Sequence, residues 1–151
     1  MKALIQRVSS SSVHSEGELL GRIGPGLNVL LGVEENDEQN DLELIAKKIG
    51  DLRIFPNDDG KFDLSLRDIK GEILIISQFT LCADYKKGRR PSFTKAANPA
   101  KAEVIYNDFI NFFQQDPQIS KVASGRFAAD MQVQINNNGP VTIQIDSAQL
   151  K

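Results

Sequence analysis

The residues of this chain best placed for chemistry are Ser77, Gln78, Phe79 and Thr80, a hydroxyl and amide cluster into which the apolar run Ile73-Leu74-Ile75-Ile76 empties. A carbonyl carbon could be attacked there, but a hydroxyl becomes nucleophilic only beside a base, and the segment supplies no histidine, lysine or carboxylate. On a strand, Ser77 and Phe79 face one way while Gln78 and Thr80 face the other. All four line one pocket only if the strand ends or bulges. Backbone N–H groups at the strand end are then the natural donors to a developing oxyanion. On composition alone, a polar strand end without catalytic significance is the favoured reading.

Other nucleophiles and bases are few. His14, the single histidine, lies in the polar stretch Ser9 to Ser15 and would have to serve any Ser-His or Cys-His arrangement. Cys82, the single cysteine, follows the polar cluster closely and is a weak candidate nucleophile. With one residue of each kind, neither a disulfide within the chain nor a Cys/His metal cluster can form, so no metal is expected. Positive charge concentrates at Lys86, Lys87, Arg89 and Arg90, a few residues past Thr80, where phosphates could bind. Such a cluster is equally a solvated surface. Gly139-Pro140 follows Asn136-Asn137-Asn138, a composition that reads as a tight turn ahead of a strand beginning near residue 140. An X-Pro bond turns cis for only ~0.5–1 kcal/mol, yet an ordinary trans hairpin turn is the reading that composition favours. Gly24-Pro25 is a turn of that ordinary kind.

These residues must be held by a framework that periodicity outlines. Strand-like runs cover 2–8, 11–15 and 18–23 around Glu16-Gly17, then Leu27 to Val33 after Gly24-Pro25-Gly26. The acidic stretch Glu34 to Asp41 leads into Leu42, Ile45, Ala46 and Ile49, whose spacing marks an amphipathic helix. Asn57-Asp58-Asp59-Gly60 is a turn, 72–78 a central strand and 84–91 a loop. Asn98-Pro99 caps a second helix over about 99–115, and strands at about 126–135 and 140–146 follow. The 151 residues make one domain, 1–151, of class α/β: stacked, curved, mostly antiparallel sheets forming a barrel-like β-sandwich, with two helices on one face. A net charge of -2 argues against coating nucleic acid through global charge, though a local basic patch remains possible. No signal peptide or ~20-residue apolar run is evident, so a soluble, cytoplasmic protein without membrane contact is expected.

Ser77-Gln78-Phe79-Thr80 and Gly139-Pro140 together closely resemble the hallmark motifs of the D-aminoacyl-tRNA deacylases. The likeness extends to Ala3-Leu4-Ile5-Gln6-Arg7-Val8, Leu52-Arg53-Ile54-Phe55, Arg90-Pro91-Ser92-Phe93 and Gly125-Arg126-Phe127-Ala128-Ala129-Asp130-Met131, in the family's order. Asn138 departs from it, since the family often has aspartate there. At Cys82 the family usually carries alanine, which implies a small half-buried hydrophobe rather than a nucleophile. The resemblance implies a cofactor-free homodimer that hydrolyses the ester of D-aminoacyl-tRNA, and of glycine mischarged on alanine tRNA. It implies that Gly139-Pro140 is cis and crosses the interface to exclude L side chains, with Arg7 locking its geometry. Arg7 is otherwise a strand arginine in a surface salt bridge. The substrate's own ribose 2′-hydroxyl would assist, leaving Thr80 to position and the N–H groups near Phe79 and Thr80 to hold the oxyanion. Two other readings stay open: a deacylase of different chirality preference with a trans Gly-Pro bond, and a non-catalytic module that binds RNA ends.

Overall fold

A computed structural model describes residues 1–151. Its first strand, β1 (Lys2–Ser15), turns at Glu16 and Gly17, whose φ values of 51° and 81° give the twist a two-residue hairpin needs, into β2 (Glu18–Ile23). β3 (Gly26–Gly32) follows. β1 is long enough to serve three partners. Residues 2–8 pair antiparallel with β3 and 11–15 with β2 along one edge, while β8 (Gln132–Asp146) lies antiparallel along the other.

Helix α1 (Gln39–Asp51) turns Leu42, Ile45, Ala46 and Ile49 inward, as their spacing predicts. It carries the chain through a small hairpin, β4 (Phe55–Pro56) and β5 (Phe62–Leu64), to β6 (Glu72–Ser77), which runs parallel to β3. Helix α2 (Pro99–Gln114) starts where the Asn98 side chain accepts the Lys101 N–H, and leads to β7 (Lys121–Ser124), parallel to β6. The order β2-β1-β3-β6-β7 nearly closes on itself: a Cβ on Gly21 of β2 would lie 3.1 Å from the Ser124 carbonyl oxygen of β7. This is the expected barrel-like stack with two helices. Two of the five pairings in its large sheet are parallel, made possible by the helical crossovers.

The helices cover one side of the sheet. There Ile5, Leu27, Val29, Ile73 and Ile75 meet Ile45, Ile49, Phe109 and Phe113 in the main core. A smaller cluster of Val8, Val13, Ile23, Leu74 and Ile76 fills the barrel side.

Four expectations need correction. The separate strands at 2–8 and 11–15 are one strand, β1, which continues through Ser9 and Ser10. β7 was not foreseen, being four residues long and nowhere fully buried. The segment 126–131, expected to begin a strand, is instead a turn and loop containing Ala128 at φ 58°. The separate strands at 126–135 and 140–146 are one strand, β8, and Gly139-Pro140 is no hairpin turn. Both flanks pair with β1, Asn137 opposite Val8 and Thr142 opposite Gln6, so residues 138–141 face Arg7 alone and bulge from the ladder.

Asp41 in the first turn of α1 is buried, and its carboxylate accepts from the Glu38 N–H at 3.1 Å and from Lys151 Nζ at 2.8 Å. Burial works to raise its pKa, but hydrogen bonds from the Lys151 and Ser147 side chains and the Glu38 N–H outweigh it and hold the carboxyl at about 2. A folded pKa below the unfolded ~3.9 stabilises the fold above that pH, and the contribution is lost as pH falls from ~4 through 2. It amounts to about 2.5 kcal/mol at neutral pH. Urea unfolding of Asp41→Asn is therefore expected to show lower stability at pH 7 and a flattened acid limb, converging with the unaltered protein near pH 2. Parallel pH profiles for the two proteins would refute this.

Candidate active site

Ser77 ends β6 opposite Leu31, and the Gln78 N–H still donates to the Leu31 carbonyl at 2.7 Å. The chain then leaves the strand for a 3-10 turn, Phe79–Cys82, closed by Leu81 N–H to Gln78 O and Ala83 N–H to Thr80 O. Strand alternation stops here, which lets Ser77, Gln78 and Phe79 line the same cavity. Thr80 is not on its wall. It is exposed, and its Oγ1 accepts from Gln78 Nε2 at 2.6 Å. The N–H groups of Phe79 and Thr80 open the turn and so have no acceptor within it.

The cavity has a volume of about 510 Å³. Its floor is Leu31, Val33 and Ile76; one wall is Ala96, Ala97, Pro99, Ala102 and Tyr106 at the start of α2, and the other is the loop Phe127 to Met131 with Val133. Tyr106 donates to the Ile75 carbonyl at 2.8 Å, and burial pushes its phenol up to about 12, so it stays protonated at neutral pH and tethers α2 to β6. Asp130 is the one carboxylate on the wall, which includes no histidine, lysine or cysteine. An ester seated here meets apolar surface, amide and hydroxyl side chains and strand-end N–H groups, but no protein base adjoins Ser77 or Thr80.

The 127–131 wall and the α2 wall escaped a reading of the chain for reactive side chains, because alanine, proline and methionine advertise no chemistry. Gly125 to Met131 stood out only as a matching motif. Its glycine is packed so closely that a Cβ there would lie 2.5 Å from Met131 Sδ.

The remaining candidates lie elsewhere. His14 is paired in β1 with Leu19 and Gln132 and does not line the cavity. Cys82 is fully buried with Sγ donating to the Val33 carbonyl; burial, aided by Glu34, pushes its thiol up to about 11, which disfavours a thiolate. Lys86, Lys87, Arg89 and Arg90 are exposed on a loop whose base is closed by reciprocal Asp84–Ser92 backbone hydrogen bonds of 2.8 Å. Phe93 just beyond packs edge-on against Phe79 of the cavity lip, ring centroids 4.9 Å apart, so the loop is tied to the site without lining it.

The Gly139-Pro140 peptide is cis, and both residues are exposed. Arg7, itself buried, donates from Nε to the Asn138 carbonyl at 2.9 Å and from Nη1 to the Ile54 carbonyl at 2.6 Å, with the Phe62 ring 5.4 Å from its guanidinium carbon. It makes no salt bridge and braces the bulge against the β4–β5 hairpin. Within one chain the bulge does not meet the cavity. Arg7 lies level with Leu27 and Ile73, whereas Ser77 lies four residues farther along β6. That offset is ~13 Å along the strands, and β8, β1, β3 and β6 add ~14 Å across them.

The family model for D-Tyr-tRNA(Tyr) deacylase matches residues 4–146. A D-aminoacyl-tRNA deacylase of Dehalococcoides mccartyi is 54% identical over 147 residues, 97% of this chain and 95% of that protein. One from Clostridium kluyveri is 49% identical over 150 residues, 99% of each. Among solved structures, a c-Myc DNA unwinding element binding protein superposes with TM-score 0.90 at 42% identity, covering 97% of this chain and 98% of that one. A probable eukaryotic D-amino acid tRNA deacylase shares the fold, with TM-score 0.81 at 16% identity over 95% and 97% of the two chains. The fold and the sequence are thus those of a hydrolase. The chain belongs to the D-aminoacyl-tRNA deacylase family, whose members cleave the ester that joins an amino acid to its tRNA.

Proposed function

We propose that this enzyme works as a cytoplasmic homodimer that proofreads charged tRNA, admitting D-aminoacyl and glycyl esters and rejecting L-aminoacyl ones. The observation that carries the reading is the cavity at the end of β6, where Ser77, Gln78 and Phe79 converge on a wall without histidine, lysine or cysteine. Hydrolysis then draws on the substrate's ribose 2′-hydroxyl, held near the carbonyl, while the Phe79 and Thr80 N–H groups stabilise the oxyanion. Gln78 and Thr80, joined by their 2.6 Å hydrogen bond, position the ester, and Ser77 lines its seat.

Chirality is read by exclusion. Gly139 and Pro140, held out by Arg7 and too far along the sheet to reach their own cavity, enter the cavity of a second copy. A twofold axis gives each site its wedge, and the outer edge of β8, which has no strand partner, supports such pairing. An L side chain strikes the wedge; a D side chain points away; glycine has nothing to strike with. That last case extends the substrates to glycine mischarged on alanine tRNA. Lys86, Lys87, Arg89 and Arg90 take phosphates of the acceptor end, so binding weakens with salt.

Single-turnover hydrolysis of matched D- and L-aminoacyl-tRNA tests the reading. Rapid loss of the D ester and of glycyl-tRNA(Ala), with the L ester intact, is expected. Comparable or faster loss of the L ester would overturn it in favour of a deacylase of other chirality. The description of the structural relative as a DNA unwinding element binding protein supports a second reading, nucleic-acid binding without cleavage. Loss of neither ester, with retained binding, would favour that one.

A further inference from the structure

We propose that Tyr85 is a stacking platform for an unpaired base of the acceptor end, next to the nucleotide whose ester occupies the cavity. Tyr85 is 79% exposed, the most exposed of the large apolar side chains, and sits at the start of the basic loop. A tyrosine ring standing in water contributes nothing to the core, yet its face is available to any nucleobase. Its setting is electrostatically prepared. Lys86, Lys87, Arg89 and Arg90 form no salt bridge with the protein, because the loop's own acid, Asp84, accepts the Lys86 N–H and pairs with Lys95. Four uncommitted cations beside an exposed aromatic ring are the pairing that single-stranded nucleic acid uses, charge for the phosphates and a ring for the base.

Position makes the proposal specific. The Asp84–Ser92 hydrogen bonds hold the root of the loop, and Phe93 next to Ser92 packs on Phe79 at the cavity lip. Tyr85 therefore has a fixed relation to the reacting ester, a few residues away, within the span of the unpaired nucleotides that precede a tRNA's terminal adenosine. This inference rests on reading the cavity as the seat of the ester. It adds that the enzyme senses a single-stranded 3′ overhang through one aromatic face.

The test uses the full-length protein and two unesterified RNA hairpins with the same acceptor stem, one ending in a four-nucleotide CCA-type overhang and one blunt. The unaltered protein and Tyr85→Phe should bind the overhang hairpin about tenfold or more tightly than the blunt one, and Tyr85→Ala should lose that difference. In hydrolysis, Tyr85→Ala should raise KM for D-aminoacyl-tRNA and leave the cleavage of D-aminoacyl-adenosine unchanged, since that small ester has no upstream base. Equal binding of the two hairpins by the unaltered protein would overturn the proposal. So would equal losses in Tyr85→Phe and Tyr85→Ala, or slowed cleavage of the small ester. The binding arm needs no ester, so it stands or falls separately from the deacylation reading.

Discussion

A D-aminoacyl-tRNA ending in 2′-deoxyadenosine is expected to be hydrolysed at least about a thousandfold more slowly than its ribose counterpart, whereas Thr80→Ala should stay within about tenfold of the unaltered enzyme. The first effect is large because a well-oriented neighbouring group acts at an effective molarity of ~10⁵ M or more, and the cavity wall has no histidine, lysine or cysteine to replace it. The second is small because the Thr80 hydroxyl is exposed, tied to Gln78 Nε2 and off the wall, while the proposed oxyanion donors are backbone N–H groups that survive truncation of the side chain. An acyl-carrying residue would behave oppositely, its loss costing on the order of 10⁶-fold. Single-turnover rates on the 3′-linked ester of each substrate decide the matter. A deoxy substrate cleaved at the full rate would remove the RNA from the mechanism, and a dead Thr80→Ala would make the threonine its nucleophile.

Replacing Gly139 with alanine should reduce the ratio of D- to L-aminoacyl-tRNA hydrolysis by about tenfold or more. Gly139 has φ 142°, a backbone state that L residues rarely adopt. An added Cβ would lie 2.7 Å from Val141 Cγ2, 3.0 Å from the Val141 nitrogen and 3.1 Å from Arg7 Nη2. Strain of this kind costs ~1–3 kcal/mol and is relieved by moving the bulge, and with it the Arg7 hydrogen bond to Asn138. The bulge contributes little to the core, because Gly139 and Pro140 are exposed and both flanks of β8 remain paired with β1. The variant should therefore fold and lose selectivity more than stability. Matched enantiomer rates, with urea unfolding as a control, read the two effects separately. A folded variant that keeps the original discrimination would show that the bulge is not the filter.

What could be read from the chain alone followed from periodicity and punctuation. The strand-like run at 18–23, the helical spacing of Leu42, Ile45 and Ile49 and the Asn98-Pro99 cap are local signals, and these elements formed where their signals lie, whereas the run at 2–8 continued to Ser15. The Ser77 to Thr80 cluster was visible for the same reason: an apolar run that stops at polar residues is a property of neighbours in sequence. Partnership is not local. Nothing in Glu72 to Ser77 states that it lies parallel to both β3 and β7, and Lys121 to Ser124 is too short and too exposed to declare itself a strand.

Asn138-Gly139-Pro140 shows the limit most clearly. Its composition announces a change of direction, but whether the chain reverses or bulges depends on whether the two flanks find different partners or the same one, and both found β1. The cavity likewise needed α2 and the 127–131 loop, about twenty to fifty residues downstream in the chain, to bring small apolar walls against Ser77 and Phe79. Sequence neighbours thus specify which residues can react and which elements carry them. The distance that keeps the Gly-Pro bulge out of its own cavity arises from strand register, which exists only once the sheet has formed.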